Sequence, residues 1–254
     1  MKRSVFSFGL LPLFCAVFLL LLAGCSGNGQ PDAQRIVDKA IQAHGGEKYN
    51  HSVVSFRFRD RQYRSQRDDG AFEYSRTFTD STGQQVYDVL RNSGFSRTIK
   101  GTELTLPEER KAAFTASVNS VVYFALLPYF LNDDAVQKEY AGEAIIKGEP
   151  YYKVRVTFAQ QGGGEDHEDT YMYWFHQQRY TMDYLAYTFR EENGDEGSRF
   201  RVAVNPREVG GIRFQDYINY TSKPQILLEK YDSAYEAGRL EKVSDINLEG
   251  VAVE

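Results

Sequence analysis

Val53-Val54-Ser55-Phe56-Arg57-Phe58-Arg59 is the stretch that decides the fold. Val54, Phe56 and Phe58 alternate with Ser55, Arg57 and Arg59. A period of two gives a strand with one apolar and one basic face. Just upstream the period is different. Ile36, Val37, Ala40 and Ile41 recur at helical spacing, Asp32 is placed as an N-cap, and Gly45-Gly46 follows His44 as a stop. The spacing predicts a helix over 33–44. A short helix that gives way to alternation and closely spaced turns reads as the start of an antiparallel sheet.

The alternation continues outward from this point. Arg67-Asp68-Asp69-Gly70 and Ser81-Thr82-Gly83 are turns around a segment bearing Phe72, Tyr74 and Phe78. Strands are then expected over 85–91 and 95–100, and again over 151–158, 170–176, 180–189, 199–204, 212–220 and 240–253. About nine to eleven antiparallel strands result. Most gaps are too short for the crossover that parallel pairing needs. Tyr171-Met172-Tyr173-Trp174-Phe175 is apolar on both faces, which places it at a sheet centre.

One segment interrupts the pattern. Pro107-Glu108-Glu109-Arg110 is a helix start, with proline at the first position and acids in the first turn. Val118 and the run from Val121 to Leu127 are apolar nearly all round. A helix over 107–127 is predicted, buried on most sides, with Pro128 ending or kinking it. Phe124 and Leu127 are expected to face the concave side of the sheet. Val54, Phe56, Phe58, Phe72, Tyr152, Val154, Val156, Trp174, Phe200, Val202 and Phe214 are expected to line that side. Either the helix fills the hollow as ordinary core, or it fills it partly and leaves a cavity for an acyl chain. The candidate cavity residues are Val54, Phe56, Phe58, Phe124, Leu127, Trp174, Phe200 and Val202.

The N-terminus supplies an address. Lys2 and Arg3 precede an apolar run over 4–22 that ends in Leu22-Ala23-Gly24-Cys25. This reads as a secretory signal over 1–24 closed by a lipobox, with Cys25 as the acylated residue. The competing reading is a simple membrane-spanning anchor. Residues 25–32 are a soft linker and 33–254 a single domain. Ser26 follows Cys25 where an Asp commonly retains lipoproteins in the inner membrane of enteric bacteria. No acidic run of the kind associated with surface export follows either. The expected location is the outer membrane, on its periplasmic side.

Composition excludes several classes. Loss of residues 1–24 removes Lys2 and Arg3, leaving 28 basic residues against 35 acidic, a net charge of −7. A nucleic-acid partner favours a basic surface, and anionic lipid heads would repel this one. Membrane affinity falls to the acyl chains. Cys15 lies in the signal and Cys25 is consumed by lipid, so the mature domain has no disulfide. Its 18 Tyr and 17 Phe supply the core.

No catalytic motif is legible: there is no Gly-x-Ser-x-Gly, phosphate loop, Cys pair or HExxH. His44 reads as a helix C-terminal residue favourable with the dipole, His51 as solvated, and His176 as structural. Glu165-Asp166-His167-Glu168-Asp169 is dense in calcium-type ligands but lacks the spacing of a calcium loop. Arg57, Arg59, Arg61 and Arg64 read as a solvated strand face. No catalytic residue, metal or cofactor is expected.

The segments Ile36–Gly46 and Val53–Tyr63 together resemble an uncharacterised family of Bacteroidota lipoproteins, itself similar to the Lol lipoprotein-carrier and outer-membrane lipoprotein-sorting group. The resemblance runs from about 34 to 253. It implies a curved antiparallel half-barrel around an apolar cavity, closed by helices, with residues 107–131 matching the lid in character. It also implies a membrane partner through the N-terminal lipid, a lipid or lipoprotein ligand, and no catalytic residues. The expected function is binding or transfer of an acyl chain. The rival is a structural or interaction module with a filled core, and an enzyme ranks third.

Overall fold

A computed structural model describes residues 31–159, 169–190 and 194–254. The leader, Cys25, the linker to Gln30, and Glu165 to Glu168 of the acidic loop lie outside the described residues. Pro31–Glu254 is one compact unit.

Helix α1 spans Ala33–His44. The Asp32 carboxylate accepts from the Gln34 N–H at 3.0 Å, and Gly45 ends the helix with φ 148°. A side chain at Gly45 would be strained by that φ, and its Cβ would sit 3.1 Å from both Ile212 and Tyr49. Ile36, Val37, Ala40 and Ile41 form the buried face, as their spacing predicts.

Two open antiparallel sheets follow, each of seven strands. The first contains β1 (Val53–Phe58), β2 (Arg61–Asp68), β3 (Ala71–Thr79), β4 (Gln85–Arg91), β5 (Gly94–Ile99) and β6 (Thr102–Glu103). The second contains β7 (Val136–Ile146), β8 (Glu149–Phe158), β9 (Tyr171–His176), β10 (Met182–Arg190), β11 (Glu196–Val209), β12 (Ile212–Thr221) and β13 (Glu241–Ile246). Strand β14 (Glu249–Val253) returns to pair with β1, so the turn after β13 carries the chain from an edge of one sheet to an edge of the other. Helix α2 (Glu108–Ala125) connects β6 to β7.

The mainly β, antiparallel expectation holds, but the fourteen strands among the described residues exceed the nine to eleven expected. Two reasons are visible. The alternation from Val53 runs through a tight turn at Arg59-Asp60, with Arg59 at φ 56°, so one long reading is two strands. The 240–253 segment is likewise two strands, β13 and β14, which pair in different sheets. Strand β7 carries Lys138, Glu139 and Glu143 and had no apolar alternation to mark it.

The interior has two linked clusters. One joins α1 to the inner face of the second sheet through Val37, Ala40, Val154, Val156, Tyr171, Tyr173, Phe175 and Leu185, with Leu127 and Leu131. The other joins the first sheet to α2 through Val54, Phe56, Tyr63, Tyr74, Val118, Val122, Leu126 and Phe130. Tyr123 packs against both. Of α2 itself only Val118 and Val122 are fully buried. The helix is therefore less enclosed than its apolar run predicts; over its earlier turns Phe114 packs near Phe95, 6.1 Å between ring centroids, beside a buried ionic cluster. There Asp88, fully buried, accepts from Arg76 at 2.6 Å and from Arg97 at 2.6 Å. Arg76 also donates to Ser117 Oγ of α2 at 2.7 Å, and the Arg97 guanidinium stacks 3.5 Å from the Phe114 ring centroid.

A third cluster lies on the opposite face of the second sheet. Its cover is Leu228 and the short helix α3 (Tyr231–Glu236). Trp174 Nε1 donates to Asp232 at 3.2 Å, with Lys153 Nζ 3.3 Å from the same carboxylate. Tyr231 OH and Ser198 Oγ lie 2.6 Å apart.

Candidate functional site

Where α2 crosses the gap between the two sheets it leaves a pocket of about 300 Å³. Phe58 and Arg59 border it from the end of β1, and Ser120, Val121, Phe124 and Ala125 from α2. Tyr187, Arg201, Gln215, Tyr217 and Asn219 form its floor on the second sheet. Ser244 and Ile246 of β13, and Leu248 just after it, close the remaining side. Larger hollows exist, such as one of about 780 Å³ along Gln225–Lys230, but that one follows the outer cover segment rather than the interior.

Phe124 is half-buried. It stands 5.5 Å, centroid to centroid, from Tyr187, and the Arg201 guanidinium lies 4.2 Å from its ring. Arg201 also donates to Tyr187 OH at 2.9 Å. Gln215 donates to the Met182 carbonyl at 2.7 Å and to Tyr217 OH at 2.9 Å. Burial pushes the Tyr217 phenol up to about 12, partly offset by the Gln215 amide hydrogen bond. The pocket thus has apolar walls from α2 and from the segment Ile246–Leu248, and a polar floor.

The structure brings together only Phe58 and Phe124 among the eight expected cavity residues. Val54 and Phe56 are fully buried in the cluster containing Val118, Val122 and Leu126. Those α2 and post-helix side chains occupy the space in front of the early part of β1. Leu127 packs in the cluster containing α1, not at the pocket, because the helix ends at Ala125 and the chain turns before Leu127. Trp174, Phe200 and Val202 are corrected: they lie on the outer face, under α3. Strand β9 is apolar on both faces, so alternation alone cannot orient it. In Phe200-Arg201-Val202 the natural reading puts Arg201 outward, whereas Arg201 faces the pocket.

The polar floor is what sequence reading missed. The pattern itself hides it: Arg199 and Arg201 alternate with Phe200 and Val202, so alternation assigns both arginines to solvent. His44 also differs from expectation. Its Nδ1 lies 2.8 Å from the Ala40 carbonyl, and its Nε2 accepts from the Met182 N–H at 3.4 Å. Burial lowers its pKa to about 4, so it is neutral and gains nothing from the helix dipole. His51 is exposed near Asp68 and Asp69, 3.2 Å from each. His176 is buried against Glu149 at 2.7 Å. In the basic stripe Arg57 pairs with Glu249, and Arg61 lies 4.6 Å from the Phe78 ring.

A family model matches residues 10–248. The chain belongs to DUF6503, a family of unknown function. No curated protein matches this chain. Among solved structures it is similar to a LolA superfamily protein from Nitrosomonas europaea, at 11% identity and a TM-score of 0.49, covering 89% of this chain and 92% of that one. A DUF1329 family protein from Desulfovibrio piger gives 11% identity and 0.48, over 88% and 93%. A putative outer membrane lipoprotein-sorting protein domain from Vibrio parahaemolyticus gives 7% and 0.43, over 88% and 94%. Among the described residues no helix is long and apolar enough to cross a membrane.

Proposed function

We propose that this DUF6503 chain is a lipid-anchored envelope protein that binds, and passes on, a lipid or lipoprotein acyl chain beneath α2, and that it is not an enzyme. The pocket carries the reading. Phe58, Val121, Phe124, Ile246 and Leu248 offer hydrocarbon walls around about 300 Å³. That volume lies at the lower end of small-ligand sites, about 300–1,000 Å³, and suits one chain better than several. Burying hydrocarbon there supplies roughly 0.8 kcal/mol per CH₂. Helix α2 is the movable cover, since most of its surface is not core. Acylated Cys25 holds the domain at the periplasmic side of the outer membrane.

The packed-module reading draws on a specific observation too: Val118, Val122, Leu126 and Phe130 fill much of the hollow. Native mass spectrometry of protein purified from membranes separates the two, together with thermal melts in added phospholipid or acylated peptide. A co-purifying lipid mass and a raised Tm are expected. A Tm indifferent to every lipid tried, with no lipid adduct, leaves the packed module.

A further inference from the structure

The pocket floor contains a cation without a counter-charge. Arg201 is 9% exposed, and no ion pair is formed by it among the described residues. Its Nη2 donates to Tyr187, but its Nε is buried without a hydrogen-bond partner. A buried guanidinium left so is costly, and its five N–H donors are suited to bidentate oxyanions. The pocket has two charged lining residues, Arg59 and Arg201, and no acid. This positive lining stands out in an acidic chain. A purely structural role for Arg201, stacking on Phe124 to hold α2, uses the face of the guanidinium and leaves the Nε–H edge unused.

Resting on the acyl-chain reading above, we infer that the pocket selects a single-chain anionic amphiphile, with Arg201 taking the carboxylate or phosphate oxygens of the head and Phe58, Phe124 and Leu248 taking the start of the chain. The apolar walls and the polar floor then belong to one ligand. The head displaces no existing salt bridge, and the chain lies against α2. A neutral lipid head would leave the Arg201 edge buried and unpaired, so charge at the head is the discriminating feature.

Isothermal titration with laurate, dodecyl phosphate, methyl laurate and acetate tests this on the wild-type domain. Laurate and dodecyl phosphate should bind at least tenfold tighter than methyl laurate, and acetate should not bind measurably. The relative affinity of the two anions identifies which head the site prefers. In Arg201→Met the preference over the ester should vanish while ester binding persists. Arg201→Lys should retain part of it. Equal binding of laurate and methyl laurate by the wild type overturns the head assignment alone and leaves the acyl pocket standing. Acetate binding as tight as laurate overturns the amphiphile in favour of a plain anion site. Failure of all chain-bearing probes removes this inference and the acyl-chain reading together.

Discussion

Three single residues test the separation between core and pocket. His44 is neutral in the folded chain because burial disfavours the imidazolium, with Arg213 adding to the effect and the hydrogen bond to the Ala40 carbonyl opposing it. Its pKa falls from 6.5 to about 4. Above pH 6.5 the imidazole is neutral in both folded and unfolded chains, so its environment is pH-indifferent there. Below that, the unfolded chain takes up a proton that the folded one resists until about pH 4. Stability therefore falls as pH drops through this window, by about 3 kcal/mol in all and roughly 2 kcal/mol by pH 5. Urea unfolding of wild type and His44→Gln at pH 7 and pH 5 should show a smaller acid loss in the variant. Leu127 and Phe124 make the second comparison. Leu127 is 4% exposed in the core beside α1, so Leu127→Ala should cost about 2–5 kcal/mol and leave ligand affinity unchanged. Phe124→Ala should reverse the balance, with a smaller stability loss and weaker laurate binding. A Leu127→Ala domain that keeps its stability but loses binding would contradict the assignment of Leu127 to core.

At the scale of elements, α2 is held by two unlike attachments. Its C-terminal half rests on hydrocarbon through Val118 and Val122. Its earlier turns, through Phe114 and Ser117, meet Arg97 and Arg76, which share the Asp88 carboxylate. Asp88→Ala would strand Arg76, 2% exposed, without its partner. A loss of about 3–5 kcal/mol is expected. Hydrogen exchange should quicken over 108–118 before it does over α1. Uniform loss of protection would show that α2 is not separately held. The elements also show what the sequence made legible. Helix α1 was readable because cap, apolar stripe and glycine stop agree. The strands of the first sheet were readable where one face is wet, as at Phe56-Arg57-Phe58. Orientation failed in the second sheet, where β9 is buried on both faces and α3 supplies a second layer that short helical pattern does not announce. The pocket failed for the same reason: its floor consists of polar residues that alternation assigns to solvent.

At the scale of the whole molecule, the proposed membrane attachment must come from some part of the chain. With residues 1–24 removed, as the proposed signal requires, the chain carries net −7, which disfavours docking on anionic lipid. No described helix is long and apolar enough to cross a bilayer. The exposed large apolar side chains, such as Leu227 at 71% and Ile145 at 64%, are few and belong to different segments. On this reading the acyl chains at Cys25 carry the whole membrane affinity, and two or more chains suffice for stable anchoring. Replacing residues 1–24 with a signal cleaved without lipidation, together with Cys25→Ser, should release the folded domain into the soluble periplasmic fraction. The release should be complete at low and high salt alike, because no electrostatic contact remains to be screened. Retention of that variant at low salt and its release at high salt would reveal a charged docking face. Retention at both would show that part of the domain itself engages the bilayer or a membrane partner, and the anchor would no longer be Cys25 alone.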